Sequence, residues 1–459
     1  MLPLLSRHLF CPLHEWVLRR STFRYLQALE WSQWNAPVDL RRLQARKLGA
    51  LLRHAKRNVP YYRRLLDQTD VDRSNGDPFE WLSRLPLLDK AAIRTNLEEM
   101  LWPEVPGGLY PHNTGGSSGE PLIFYFDRRR QGYDQAARIR THRWFGVDIG
   151  DRELYLWGSP IEHSRTDRMR RLRDRLFNHR LVDAFNMSAE RMDQYLEEFS
   201  RYRPACLFGY PSSVALLAEH ALTRGVHIDV RDLRVVFVTG EVCYPHHREV
   251  IAEYFRVPVA DGYGSREGGF IAHECPEGNL HITAENVVVE IVENGEVVPS
   301  GQDGEIVITH LDAYGMPFIR YRTGDRGRLK EGRCPCGRGL PMMDVIQGRA
   351  TDFLYLPDGT IKHALSVIYP LREMKGIRQF CVMQSPDYST SVLVVREPNG
   401  QTITTELVAR RLRRIVDNQV NINVQFVDRI PITGSGKYRY VMSEANPAHR
   451  LEAAEATHG

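Results

Sequence analysis

The heptapeptide Asp261-Gly262-Tyr263-Gly264-Ser265-Arg266-Glu267 follows the apolar run Phe255 to Ala260 and leads into Gly268 and Gly269. An apolar run that gives way to alternating glycines is expected to be a strand ending in a turn, where Gly262 and Gly264 let the backbone approach a ligand without side-chain obstruction. Tyr263 can lay its ring against a nucleobase. Glu267 is a hard oxygen ligand suited to a magnesium ion that carries phosphates. Glycine-rich turns beside an acid also arise for steric reasons alone, so the reading depends on three further stretches.

The first is Asn113-Thr114-Gly115-Gly116-Ser117-Ser118-Gly119-Glu120-Pro121, whose amides and hydroxyls can wrap an oligophosphate as an anion nest. It is not a Walker loop, because Glu120 and Pro121 stand where that motif needs Lys and then Ser or Thr. The second is Tyr321-Arg322-Thr323-Gly324-Asp325, where a carboxylate after a tight turn can accept hydrogen bonds from both ribose hydroxyls. The third is Pro431-Ile432-Thr433-Gly434-Ser435-Gly436-Lys437, a loop that delivers one ammonium group.

Around these stretches the pattern alternates. Leu154 to Trp157, Cys206 to Phe208 and Val235 to Val238 are short apolar runs, each followed by a helical pattern such as Ser212 to Thr223 or His246 to Phe255. Such alternation predicts a parallel sheet with helices on its faces and a site in the loops at the carboxyl ends of its strands. Gly209-Tyr210-Pro211, Gly240-Glu241 and Gly262-Tyr263 fall at those ends. From Leu280 to Leu329 the pattern turns to β, with Asn294-Gly295 and Gly301 to Gly304 as turn formers, and predicts a small antiparallel barrel or sheet. The fold class expected is α/β. A large N-terminal domain at 40–348 has parallel sheets flanked by helices plus a β-rich part at 280–347, and a smaller C-terminal α/β domain occupies 353–442. A helical extension at 1–39, a hinge at 349–352 and a polar tail at 443–459 complete the organisation.

The chain has 459 residues, 61 basic against 57 acidic with a net charge of +4, and a hydrophobic content of 42%. This is the composition of a globular protein and does not announce a nucleic-acid binder. No apolar run approaches the ~18 residues that span a bilayer. Seven cysteines, an odd count without a secretory signal, fit a reducing cytoplasm. At the N-terminus Leu2, Leu5, Leu9, Phe10, Leu13, Trp16 and Val17 fall on helical spacing. Packing of this apolar face onto the chain's own domain is the expectation; peripheral membrane contact through the N-terminal helix and a homodimer are left open.

Cys275, His281, Cys334 and Cys336 offer three sulfurs and an imidazole, the donor set of a closed structural zinc site. Their spacing is not that of a standard zinc finger, and His273 is a fifth candidate.

The four glycine-containing stretches, in this order, resemble the adenylate-forming superfamily that contains acyl-coenzyme A ligases. Val59-Pro60-Tyr61-Tyr62, Gly209-Tyr210-Pro211-Ser212, Thr239-Gly240-Glu241, Cys334-Pro335-Cys336-Gly337-Arg338 and Gln347-Gly348-Arg349 narrow the resemblance to the phenylacetate-coenzyme A ligase family, over residues 40 to 442. The aromatic, arginine-rich segment from His14 to Trp34 resembles more loosely its capsular polysaccharide branch. The resemblance implies an ATP-dependent, AMP-forming ligase that adenylates a small carboxylic acid and transfers the acyl group to coenzyme A. It also implies roles. Lys437 would stabilise charge at the α-phosphate and Glu267 would hold Mg2+, while Thr114 to Gly119 receive phosphates. Tyr263 would face adenine, Asp325 ribose, and Arg349 ribose or phosphate, with Gly240, Glu241, Asp261, Gly262, Gly264 and Ser265 lining the nucleotide site. Tyr210 and Pro211 would meet the acid, Thr351 or Asp352 would serve as the hinge, and the Cys/His set would bind a structural Zn2+. Acyl transfer to an amine or hydroxyl acceptor, or a nucleotide-binding scaffold without turnover, are the competing readings.

Overall fold

The computed structural model describes residues 3–68, 76–113, 122–158, 172–185, 187–347, 353–358, 360–372, 374–397, 403–416, 420–428, 430 and 440–445. Helix Pro37–Asn58 starts with Pro at its first turn, carries Asp39 there and Lys56 and Arg57 in its last turn, so both ends complement the helix dipole. Its buried face is Leu40, Leu48, Leu51, Leu52 and Ala55. Val59, ahead of Pro60, is extended, as a residue before proline must be, and a second helix Pro60–Gln68 follows. Tyr62 lies inside the core, where its hydroxyl donates to the Pro317 carbonyl at 2.9 Å.

Strands β1 (Tyr110–Asn113) and β2 (Ile123–Phe126) form an antiparallel hairpin. The main sheet has twelve strands: β3 (Glu153–Trp157), β4 (His179–Asp183), β5 (Cys206–Gly209), β6 (Val235–Thr239), β7 (Val259–Ser265), β8 (Gly269–Glu274), β9 (Leu280–Ile282), β10 (Val287–Glu293), β11 (Glu296–Val297), β12 (Gly304–His310), β13 (Tyr321–Lys330) and β14 (Met342–Gln347). Their order across the sheet is β11-β10-β12-β13-β14-β9-β8-β7-β6-β5-β3-β4. Strands β4, β3, β5, β6 and β7 run parallel. From β7 onward every pairing is antiparallel. The β-rich part is therefore the antiparallel limb of the same sheet rather than a separate small barrel or sheet.

The parallel limb shows why the apolar runs are continuous. Leu207, Val236 and Val238 point to one face, against helices Ala189–Tyr202, Pro211–Arg224 and Pro245–Phe255. Cys206, Val235, Phe237 and Ala260 point to the other, where the His142 ring at the end of helix Arg128–Arg143 stacks on Phe237 at 4.3 Å. Strands covered on both faces read as unbroken hydrophobic runs. Full burial of each such side chain stabilises by about 1.5–3 kcal/mol.

The sequence places a turn at 261–265; in the structure these residues are strand. Asp261 to Ser265 pair with β6 on one side (Thr239 opposite Gly262) and with β8 on the other (Gly262 opposite His273). The turn comes later, at Arg266 to Gly268, and is what reverses the sheet from parallel to antiparallel. The antiparallel limb curls back over this turn: a Cβ on Gly268 would lie 3.2 Å from Ile308 of β12.

The N-terminal segment also departs from expectation. Helix Thr22–Ser32 buries Leu26 and Leu29 against Ala136, Ala137 and Ile139 of helix Arg128–Arg143. The residues before it pack with their polar side inward, burying Ser6 and Glu15 and leaving Leu5, Leu9, Leu13 and Trp16 exposed. Buried ion pairing of Glu15 with Arg20 outweighs the apolar periodicity.

In the C-terminal part a hairpin of β15 (Phe353–Tyr355) and β16 (Ile361–His363) accompanies a four-stranded sheet. That sheet contains β17 (Ile377–Gln384), β18 (Thr390–Arg396), β19 (Ile422–Phe426) and β20 (Val441–Ser443) in the order β19-β18-β17-β20. Helices Leu365–Arg372 and Thr405–Val416 pack with it, and the core, including Leu354, Val367, Phe380, Val392, Leu412 and Val441, is drawn wholly from this part. Ser443 closes β20 and Ala445 is buried, so the ordered chain runs past the 443 boundary read for the tail.

Candidate active site

Thr114, Gly115, Gly116, Ser117, Ser118, Gly119, Arg349, Thr351, Asp352 and Lys437 lie outside the described residues. The other nucleotide and acid candidates meet at the carboxyl edge of the parallel limb. Strands β5, β6 and β7 are adjacent there, so Gly209-Tyr210, Thr239-Gly240-Glu241 and Tyr263 line one edge. Tyr263, half-buried, donates its hydroxyl to Asp325 Oδ2 at 3.0 Å. The Asp325 turn is built locally: Thr323 Oγ1 donates to the Ile306 carbonyl at 2.7 Å and accepts from the Asp325 amide at 3.1 Å. Gly324 takes a φ of 79°, a left-handed conformation that favours glycine.

Glu267 stands in the reversing turn and is buried, with Oε1 accepting from the Tyr321 hydroxyl at 3.0 Å. Beneath the turn lies Arg130, with no exposed surface. Its Nη2 donates to the carbonyls of Arg266 at 3.0 Å and Glu267 at 2.5 Å, and its guanidinium lies 4.0 Å from the Phe126 ring centroid and 5.5 Å from that of Phe318. Asp134, 3.6 Å away, is its ion-pair partner. Arg266 Nη1 donates to the Asn113 carbonyl at 3.0 Å, which ties the stem of the β1–β2 hairpin to the same turn.

Glu241 Oε2 accepts from Ser212 Oγ at 2.5 Å and from the Ser212 amide at 3.4 Å, placing a carboxylate at the N-terminus of helix Pro211–Arg224, where the helix dipole favours it. Tyr210 is only 4% exposed, its ring stacked on Trp157 at 4.0 Å and packed under Gly240. The Asp261 carboxyl is pushed up to about 7 by burial first and by the neighbouring Glu274 charge second, against the opposing pull of Arg248. Arg248 Nη2 grips both Glu274 oxygens at 2.9 Å, and the Asp261 amide donates to Glu274 Oε2 at 2.7 Å.

The Cys/His candidates come together across the sheet. One ligand atom from each of Cys275, His281, Cys334 and Cys336 lies within 4.8 Å of all the others. Cys275 Sγ and Cys334 Sγ are 3.6 Å apart, too far for a disulfide at about 2.05 Å. Two thiolates sharing a tetrahedral zinc with bonds of about 2.3 Å would be separated by about 3.8 Å, so the spacing suits the ion. His281 Nδ1 faces the Leu340 carbonyl at 3.1 Å, which sets Nε2, 3.3 Å from Cys336 Sγ, as the lone-pair nitrogen. His273 is not in this group; its ring stacks on Phe270 at 5.5 Å.

Residues 180–311 match the family described as AMP-binding enzyme, and residues 354–444 match the CapK C-terminal domain. Protein CapK of Staphylococcus aureus is 23% identical over 417 residues, covering 88% of this chain and 89% of the relative. The phenylacetate-coenzyme A ligase of Thermus thermophilus is 27% identical over 344 residues, covering 69% and 72%. The chain is thus similar to AMP-binding enzymes in its middle part and to protein CapK along most of its length. Its fold is that of a solved ligase: the crystal structure of 2-hydroxyisobutyryl-CoA ligase in complex with 2-HIB-AMP and CoA superposes with a TM-score of 0.59 at 18% identity, covering 92% of this chain and 94% of that one.

Four residues of this candidate site went unread in the sequence: Tyr321, Ser212, Arg130 and Trp157. Tyr321 and Ser212 stand inside quoted motifs, and their hydroxyls were the available signal. Arg130 and Trp157 act from other elements and carry no local signal.

Proposed function

We propose that this chain is an adenylate-forming enzyme that activates an aryl or other small organic acid with ATP and passes the acyl group to coenzyme A. The observation that carries the reading is the contact of Tyr263 with Asp325, two residues far apart in sequence, beside the buried Glu267 at one strand edge. A carboxylate is a poor acyl donor because oxide would have to leave. Its attack on the α-phosphorus of ATP forms an acyl-adenylate and releases pyrophosphate; the thiol of coenzyme A then displaces AMP. Tyr263 would lie against the adenine and Asp325 would accept from the ribose hydroxyls. Glu267 would hold Mg2+, which when bound screens the phosphate charge. Thr114 to Gly119 would receive the departing phosphates, and Lys437 would meet charge growing on the α-phosphate oxygens. Tyr210 and Pro211 would border the acid, and the C-terminal domain would turn about 349–352 between the two steps. The Cys275, His281, Cys334 and Cys336 set would hold a structural zinc that pins β9 to the loop before β14.

One observation favours a second acceptor. The sequence match to protein CapK spans 88% of the chain against 69% for the phenylacetate-coenzyme A ligase of Thermus thermophilus, and is joined by the CapK C-terminal domain at 354–444. An amine or hydroxyl acceptor in envelope polysaccharide synthesis is the reading it supports.

The test is pyrophosphate release from ATP and Mg2+ across aryl, fatty and sugar acids, with and without coenzyme A. Release that needs one acid, and a thioester only with coenzyme A, is the expected result. Release without thioester moves the acceptor to an amine or hydroxyl. Release that persists in Lys437→Ala at the wild-type rate overturns the role of that lysine, and silence on every acid supports a scaffold.

A further inference from the structure

We propose that the first helix of this protein docks on an anionic lipid surface through the ridge Leu5, Leu9, Leu13, Trp16 and Val17. The segment runs from Pro3 to Val17, with a π-helical middle at Ser6–Phe10 between α-helical turns. Its sides are the reverse of what folding in water selects. Ser6, Cys11 and Glu15 face the protein, whereas Leu5 is 45%, Leu9 53%, Leu13 52%, Trp16 75% and Val17 62% exposed. A helix on a protein surface ordinarily turns its apolar stripe to the core.

Polar anchors hold this orientation. Glu15 accepts from Arg20 and Thr22, Arg7 pairs with Asp148 at 2.8 Å, and the His14 ring meets the edge of Phe177 at 5.1 Å. Rolling the helix to bury the leucines would strip the partners from the buried Glu15 carboxylate, which costs several kcal/mol. The apolar ridge is thus fixed outward.

Charge selects the occupant. Among described residues 3–38 the exposed ionisable side chains are His8, Arg19, Arg24 and the Asp148-paired Arg7; no carboxylate is exposed there, since Glu15 is buried and Glu30 is half-buried against Arg143 at 2.6 Å, and the exposed Asp39 that follows is paired with Arg42 at 3.0 Å. Trp31 and Trp34 are exposed in the same region. Apolar side chains and tryptophans with flanking cations match the boundary between acyl chains and anionic headgroups. A second copy meeting this surface face to face would set the same cations against each other.

The experiment is vesicle flotation of the full chain, with phosphatidylglycerol mixed into phosphatidylcholine or with phosphatidylcholine alone. The expected result is binding to the mixed vesicles that weakens in high salt, and at least about tenfold weaker binding for Leu9→Gln with Trp16→Ser. Because both positions are exposed, the variant should melt and elute as the wild type does, and its pyrophosphate release should be unchanged. Wild type that ignores both vesicles, equal binding by wild type and variant, or equal binding to both vesicle types overturns the proposal. A wild-type dimer that becomes monomeric in the variant also overturns it, in favour of a second copy of the chain.

Discussion

Gly262→Ala tests whether the geometry of β7 sets the site. A methyl group built there lies 2.6 Å from His273 Nε2 and 2.9 Å from its Cε1. Non-bonded heavy atoms are most favourable at about 3.5–4.0 Å, so the overlap is about 1 Å. The imidazole cannot withdraw: it is 2% exposed, stacked on Phe270 at 5.5 Å and held edge-on by Phe237 at 5.6 Å. Overpacking of this kind costs about 1–3 kcal/mol, which in a protein of this size lowers the melting temperature by about 1–3 °C. Relief by movement of β7 would carry Tyr263 away from Asp325, and a misplacement near 1 Å can cost about a hundredfold in rate. Calorimetry and pyrophosphate release measure the two effects, and the same substitution on a His273→Ala background, where the ring is gone, should be nearly neutral. A Gly262→Ala protein that melts and turns over like wild type, or one whose defect is unchanged in the His273→Ala background, refutes the reasoning.

Two further outcomes follow from the geometry. Protein purified without chelator should carry one zinc per chain by elemental analysis, and Cys334→Ser should lose the metal and melt about 5–10 °C lower; metal-free wild-type protein with the same melting temperature would count against the site. Asp261 supplies a pH dependence. Its folded-state value of about 7 lies above the ordinary carboxyl value near 3.9, so between them the folded protein keeps a proton that the unfolded chain has released. Its contribution is therefore fully present below about pH 4 and is lost as pH rises through about 7, by roughly 4 kcal/mol at most. Asp261→Asn should flatten the melting temperature between about pH 5 and 8, and parallel curves for wild type and variant would exclude this role.

Legibility in the sequence followed the range of the forces involved. Helices Pro211–Arg224 and Pro245–Phe255 were readable to within a residue at each end because their apolar spacing is local. The parallel strands were readable because burial on both faces leaves an unbroken apolar run. The Cys/His set was readable because few other arrangements use three sulfurs and an imidazole. What depended on distant partners was not. The strand character of Asp261 to Ser265 needs β8, which pairs with it only after the turn reverses the chain. The outward face of the first helix needs Glu15 to find Arg20 and Thr22; periodicity reveals that an apolar stripe exists but not which way it faces. The continuity of the antiparallel limb with the parallel one rests on β9 pairing with β14, which is distant in sequence.

Arg130 carries a different kind of consequence, for how far this sequence can drift. Its guanidinium fills a volume between Phe126 and Phe318 and reaches the two carbonyls that shape the Glu267 turn. Lysine matches the charge but not the planar fork, and methionine or leucine fills the volume but leaves the two turn carbonyls without their donor and Asp134 without its counter-charge. A residue remote from the reacting atoms thereby has no tolerable neighbour in the genetic code. In a library that randomises the large domain, position 130 should be as intolerant as the acid it supports, and a screen for active variants would recover it as if it touched the substrate.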